Sequence, residues 1–142
     1  MEEVQKVIIS DPLSKKGLDI LEKVKNLKCD VKTGLSPEEL KKIISEYDAI
    51  IIRSETKLKA EIIEAASHLK VIGRAGIGLD NVDLSAATKK GIVVMNTPQE
   101  NAIAAAEHTI ALMLSISRKI PQATSSMKAG KCEKKKFMGV EL

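Results

Sequence analysis

Short apolar runs alternate along this chain with longer stretches of helical spacing. Val4–Ser10 (VQKVIIS) reads as a buried strand, stopped by the turn signal Asp11-Pro12. Ser14 can cap a helix running to about Leu27, with Leu18, Leu21, Val24 and Leu27 on one face. Cys29–Thr33 is a short second strand closed by Gly34. Ser36-Pro37-Glu38-Glu39 then combines an N-cap, a proline at the first helical position and an acid at the third. That helix turns Leu40, Ile43 and Ile44 inward and ends near Tyr47. Ala49–Ile52 is continuously apolar, as a strand buried on both faces should be, and it ends at Arg53-Ser54. A helix over Lys59–Ala66, a strand over Lys70–Ile72, a helix over Leu84–Lys90 capped by Asp83, and a strand over Ile92–Met95 follow. Five strands separated by helices through short connections predict an α/β fold, a flavodoxin-like doubly wound five-stranded parallel sheet.

The stretch Leu69–Asp83 (LKVIGRAGIGLDNVD) interrupts this regularity. Its strand breaks into a loop holding Gly73, Gly76 and Gly78, and Asn81–Asp83 opens the next helix. Glycines at this spacing permit positive φ and let a ligand approach bare N–H groups. A loop leaving a parallel strand for a helix is a natural anion site, and Arg74 adds a fixed positive charge. Gly76-x-Gly78-x-x-Asn81 is two-thirds of a dinucleotide fingerprint without its third glycine, and Glu100 is a lone acid downstream. Three readings stand: that fingerprint, a tight turn with no ligand, and a loop holding a small carboxylate or phosphate.

Ala102–Ser117 (AIAAAEHTIALMLSIS) is helical but carries apolar residues on every face, so it requires burial nearly all round. One five-stranded sheet can cover only one side of it. After Pro121 the chain turns polar, then ends on Phe137, Met138, Val140 and Leu142, apolar residues with nothing following them to pack into. The expectation is a chain that continues.

Composition narrows the function classes. With 142 residues the chain has room for one domain with a real core, not two full α/β domains. One Tyr, one Phe and no Trp make the core aliphatic and argue against single-stranded nucleic-acid binding, which uses aromatic platforms. The net charge of +4 comes partly from Lys131–Lys136 and otherwise from lysines interleaved with acids, a solvated surface. Cys29 and Cys132 form neither a metal spacing nor a disulfide framework, and no signal peptide or membrane span is evident. A reduced, cytoplasmic protein that binds neither membrane nor nucleic acid and holds no metal is expected.

The words IIRSETK (Ile51–Lys57), LKVIGRAGIGLDNVDLSAATKKGIVVMNTP (Leu69–Pro98), AAEHTIALML (Ala105–Leu114) and KKKFMGVEL (Lys134–Leu142) resemble the D-2-hydroxyacid dehydrogenase family. RAGxGxDNVD with KKFMGxEL points to its phosphoglycerate branch. The resemblance implies an NAD-dependent oxidoreductase that oxidises 3-phosphoglycerate at its 2-hydroxyl, at the entry to serine synthesis. Residues 1–98 would be the substrate-binding domain. Residues 99–142 would be the linking helix and tail, the start of a nucleotide-binding domain that holds most of the NAD. The resemblance gives Arg53, Ser54, Arg74, Ala75, Gly76 and Asn101 to a small anionic hydroxyacid, with Ala75, Gly76 and Ile77 lining the site by their backbone amides. It sets Ile77 at the nicotinamide end of the cofactor. An arginine pair suits such a ligand, since a guanidinium meets a carboxylate or phosphate with two parallel bonds. A salt bridge at a strand end is the bland alternative for Arg53.

The same resemblance puts the family's GxGxxG loop, catalytic arginine, acid and general-acid histidine beyond Leu142, so no catalytic residue is expected in this chain. His68 reads as a surface residue and His108 as structural. Cys132 stands where the family usually has tryptophan, and Glu100 where glycine is common. The alternatives are a neighbouring branch, such as a glyoxylate or hydroxypyruvate reductase or a transcriptional corepressor, and a non-catalytic ligand-binding or dimerising module. Self-association through Ala102–Ser117 is expected on either view.

Overall fold

The computed structural model describes residues 4–99 and 101–142; Glu100 lies outside them. The chain divides into two compact units with the boundary between Pro98 and Gln99.

The first unit is built on five parallel strands: β1 (Gln5–Ile9), β2 (Leu27–Val31), β3 (Ala49–Ile52), β4 (Val71–Arg74) and β5 (Val93–Asn96). Their order across the sheet is β2-β1-β3-β4-β5, the flavodoxin-like doubly wound arrangement. The register sets Ile8, Ile50, Ile72 and Val94 side by side on one rung. Neighbours in register share a face, so this rung is one apolar ridge. Leu40 and Ile44, Ile62 and Ile63, and Ala86 and Ala87 close over it from α2 (Pro37–Ile43) and its 3₁₀ extension, α3 (Ala60–Ala65) and α4 (Leu84–Lys89). Three isoleucines of the ridge are fully buried, each contributing about 1.5–3 kcal/mol of hydrophobic stabilisation. The opposite face is thinner. Val7 and Ile9 are buried there, but Val93 and Met95 at the β5 edge are exposed, and α1 (Lys15–Glu22) buries no residue completely.

Local chemistry sets the boundaries. Ser36 and Glu39 form a reciprocal capping box, each side chain accepting the other's backbone N–H. Asp83 caps α4 by accepting the Ala86 N–H, and Gly91 follows at φ +70°. The Lys90 ammonium donates to the carbonyls of Ile63, Glu64 and Ala66, capping the C-terminus of α3 from a neighbouring helix.

Three elements depart from expectation. α1 stops at Glu22 rather than near Leu27, because Leu27 is drawn into β2 opposite Gln5. The second strand accordingly runs over Leu27–Val31, not Cys29–Thr33. Gly73, expected in the loop, is the third residue of β4, paired with Ile51 and Met95.

The second unit holds α5 (Ala102–Ser117), α6 (Ile120–Lys128) and a 3₁₀ turn over Lys134–Phe137. α6 was not expected where the chain turns polar after Pro121, yet proline within the first helical turn loses no hydrogen bond. Val140 donates its N–H to the Ser117 carbonyl at 3.0 Å, bringing the tail back to the end of α5. A Cβ on Gly139 would fall 2.2 Å from that same carbonyl oxygen, so only glycine fits. α5 itself was expected to be buried nearly all round. Instead, every residue from Ala102 to Leu114 is exposed, and the rest of the second unit does not enclose the helix. No helix of the described residues is long and apolar enough to cross a membrane.

Candidate functional site

In a parallel sheet all strands end on one edge, where ligands of open α/β sheets bind. Along that edge lie, in order, Asp11 after β1, Arg53–Thr56 after β3, Arg74–Gly78 after β4, and Asn96-Thr97 at the end of β5. Five of the substrate residues implied by the resemblance therefore come together here: Arg53, Ser54, Arg74, Ala75 and Gly76, with Ile77 beside them. Asn101 belongs to the second unit, where it precedes α5 without a side-chain capping bond.

Arg53 and Ser54 are exposed at the crest of their turn. The Arg53 side chain makes one long bond, 3.4 Å to the Pro12 carbonyl, so its guanidinium remains largely available. Arg74 behaves differently. Its side chain is only 11% exposed. Its Nε donates to the Arg53 carbonyl at 3.2 Å and another nitrogen donates to the Gly78 carbonyl. Asp80 stands 4.0 Å from the guanidinium. Arg74 thus stitches the β3 turn to the β4 loop with its side chain largely buried.

The loop glycines work by space, not by backbone handedness. None of Gly73, Gly76 and Gly78 takes positive φ, contrary to the sequence expectation. A Cβ on Gly76 would lie 3.2 Å from the Arg74 guanidinium, and one on Gly78 only 2.8 Å from the Asp80 carboxylate. These glycines leave room for Arg74 to fold across the loop. Two of the amides expected to face a ligand are also engaged within the chain: Ala75 donates to Ile52 at 2.8 Å, and Gly76 to Arg74 at 3.0 Å. At those residues the loop offers room more than donors. Asn96 and Thr97 hold it from the β5 side, through Asn96 Nδ2 to the Ile77 carbonyl at 2.7 Å and the Thr97 N–H to the Gly76 carbonyl at 3.0 Å. Ile77, 41% exposed, presents an apolar tip.

Sequence reasoning missed two residues of this edge. Asp11 read as part of a turn, and Asn81 as the failed third position of a dinucleotide fingerprint. Asp11 is buried and accepts from Arg53 and Thr56; Asn81 is buried and donates to the carbonyls of the same two residues. Their partners lie 25 to 45 residues away in the chain, so no local pattern reveals them. Asn81 is asparagine where the fingerprint has glycine because the amide side chain is in use.

A groove of about 580 Å³ opens beside the same turn, lined by Ser54, Lys57, Lys59, Asp80, Asn81 and Asp83 among others. Its lining carries charges of both signs. Among the described residues no cluster of His, Cys, Asp and Glu could hold a metal ion. His68 is exposed, its Nδ1 2.7 Å from the Ser45 carbonyl. It precedes β4 and so lies at the opposite edge of the sheet from the two substrate loops. His108 is exposed on α5.

Comparison with known proteins agrees with this fold. Residues 7–137 match the family described as D-isomer specific 2-hydroxyacid dehydrogenase, catalytic domain. The D-3-phosphoglycerate dehydrogenase of Archaeoglobus fulgidus is 55% identical over 137 residues, which are 96% of this chain and 26% of that protein. The chain therefore spans about a quarter of the length of this relative. The NAD+-bound 3-phosphoglycerate dehydrogenase of Entamoeba histolytica superposes with a TM-score of 0.70 at 34% identity, over 81% of this chain and 40% of that one. A protein of Pyrococcus horikoshii superposes with a TM-score of 0.81 at 33% identity, over 96% and 42%. On its sequence and its fold alike, the chain belongs to the D-isomer specific 2-hydroxyacid dehydrogenase family.

Proposed function

We propose that this chain is the substrate-binding part of an NAD-dependent dehydrogenase that oxidises 3-phosphoglycerate at its 2-hydroxyl, an early step of serine biosynthesis in the cytoplasm. The observation that carries this reading is the 55% identity to a D-3-phosphoglycerate dehydrogenase across nearly the whole chain. Residues 99–142 would begin the nucleotide-binding domain, with α5 as the crossing helix. In the reaction the C2–H bond breaks with its electron pair, the hydroxyl proton leaves to a base, and a 2-keto acid results. NAD supplies the hydride acceptor.

The chain's own residues bind and orient. The largely available guanidinium of Arg53 and the hydroxyl of Ser54 meet the anionic end of the substrate, and Arg74 adds charge from the neighbouring loop. For Asn101, before α5 in the second unit, the family resemblance is the sole support for a substrate role. The residues fit only one end of NAD: exposed, apolar Ile77 suits the nicotinamide face, whereas Gly78 is crowded by Arg74 and Asp80 and leaves no open cradle for a pyrophosphate. His68 is at the wrong edge of the sheet to serve as the base. Hydride transfer needs a held nicotinamide and a positioned acid–base group, so this polypeptide alone should be inactive.

The test combines catalysis and binding. With NAD and 3-phosphoglycerate the 142-residue chain should give no NADH absorbance above a protein-free blank. Titrating 3-phosphoglycerate should shift amides at Arg53–Ser54 and Arg74–Gly78 with millimolar affinity, about 4 kcal/mol, because half a cleft buries only part of a ligand. Arg53→Ala should weaken that response and Lys135→Ala should not. Turnover at ordinary enzyme rates, or shifts spread over surface lysines, would overturn the reading. Preferential binding of glyoxylate or hydroxypyruvate would favour the reductase branch.

A further inference from the structure

Asp11 is 1% exposed, yet its carboxylate faces no cation within bonding distance among the described residues. Burying such a group is unfavourable unless donors surround it. Here they all come from one turn. Arg53 gives its backbone N–H at 2.5 Å, Thr56 its N–H at 3.1 Å and Thr56 its hydroxyl at 2.5 Å. From the β4–α4 connection, Asn81 Nδ2 donates to the carbonyls of Arg53 and Thr56, each at 2.7 Å. Residues 53 and 56 are therefore fixed at both their N–H and their C=O, by side chains from two other segments. Between them Ser54 and Glu55 are left as the exposed crest.

The arrangement is a poor choice if stability were its only purpose. The side-chain oxygen of Asn81, Oδ1, is buried and finds no hydrogen-bond partner among the described residues, a cost that native structures seldom carry without a reason. A buried carboxylate and a half-satisfied amide also contribute less to folding than the aliphatic packing found elsewhere in the unit. What they do provide is a fixed orientation for one turn at the ligand edge of the sheet.

We propose that Asp11 and Asn81 are positioning residues: they clamp the Arg53–Thr56 turn from opposite sides so that Arg53 and Ser54 present a preformed site to a small anionic hydroxyacid. The inference rests on the substrate reading above and assigns that site its supporting shell. Preformation matters because a loop that must be ordered on binding gives up affinity to do so.

The experiment titrates 3-phosphoglycerate into the ¹⁵N-labelled 142-residue chain, comparing wild type with three variants. Asp11→Asn replaces one acceptor oxygen by a donor and should weaken binding about tenfold, the scale of loss that misplacement of a positioned group brings. It should also move the Arg53 and Thr56 amide protons upfield as their charge-assisted bonds are lost. Thr56→Val removes a single donor and keeps the side-chain shape; it should weaken binding about threefold, and it serves should Asp11→Asn fail to fold. Lys90→Met removes the cap of α3 away from the turn, so it should lower the melting temperature while leaving affinity within twofold of wild type. Wild-type affinity in Asp11→Asn and Thr56→Val overturns the clamp, and so does an equal loss in Lys90→Met, which would make affinity a reporter of stability alone. A wild-type chain that ignores 3-phosphoglycerate strikes the substrate reading itself, an outcome distinct from either.

Discussion

Residues 4–98 and 101–142 distribute polarity in opposite ways. In the first unit Ser10, Asp11 and Asn81 are buried beside a core of Ile, Leu and Ala, and the polar ones gather at the ligand edge. In the second, Ile103, Ile110, Leu112, Met113, Leu114 and Ile116 are exposed along one helix. The first unit therefore builds a buried core within itself and buries polar groups at one edge of it, although its opposite face leaves Val93 and Met95 exposed. The second leaves the apolar residues of α5 exposed, and exposed apolar patches are commonly used as interfaces, so self-association through α5 is proposed.

The largest contrast should appear on truncating one side chain in each unit. Ile50→Ala opens a cavity in the fully buried central rung and should cost about 2–5 kcal/mol by urea denaturation. Ile110→Ala removes atoms that are half in water, and at dilute, monomeric concentration should change stability by no more than about 0.5 kcal/mol. Equal losses would mean that α5 is covered and that the contrast is false.

Association sharpens the same contrast. Light scattering at micromolar concentration should report a dimer or larger species, since hiding ~600 Å² of apolar surface contributes on the order of 15 kcal/mol before association costs. Leu112→Glu with Ile116→Glu should shift the chain towards monomer without altering the sheet. A compact wild-type monomer at high concentration would remove the interface.

The smallest effect concerns acid. Asp48 sits at the sheet edge opposite the ligand loops, where the Lys6 N–H at 2.9 Å, and then Lys70, hold its carboxyl below the usual range. A group with a lowered folded pKa contributes stability above its unfolded value, and that contribution is lost as pH falls through the folded value. Asp48→Asn should therefore lower the melting temperature slightly at neutral pH and flatten its fall under acid. The α5 helical signal should be indifferent to the change. An unchanged acid slope would show that Asp48 is not coupled to folding.

Much of this was legible in the sequence because it is local. The Ser36–Glu39 capping box, the Asp83 cap, the apolar run of β3 and the order of alternating elements each rest on residues within a few positions of one another. What escaped is either long-range or ambiguous in sign. Leu27 fits a helix face and a strand equally well, and pairing with β1 decides between them. Pro121 breaks a helix except in its first turn, where it lies. Glycines at 73, 76 and 78 suggested unusual φ, whereas two of them clear space for Arg74, a fact visible only once the guanidinium is placed. The pairing of Asp11 with Thr56 spans 45 residues and belongs to the tertiary structure alone.

The strand order has a consequence for how this chain is made. Each of β1 to β5 pairs only with strands that also precede Thr97, so the ribosome has delivered every strand before the first residue of α5 is added. Domains fold as units during synthesis, at about 5–20 residues per second. Every strand therefore leaves the ribosome ahead of α5, and the sheet can close as the most adhesive helix of the chain emerges, without waiting for any residue beyond it.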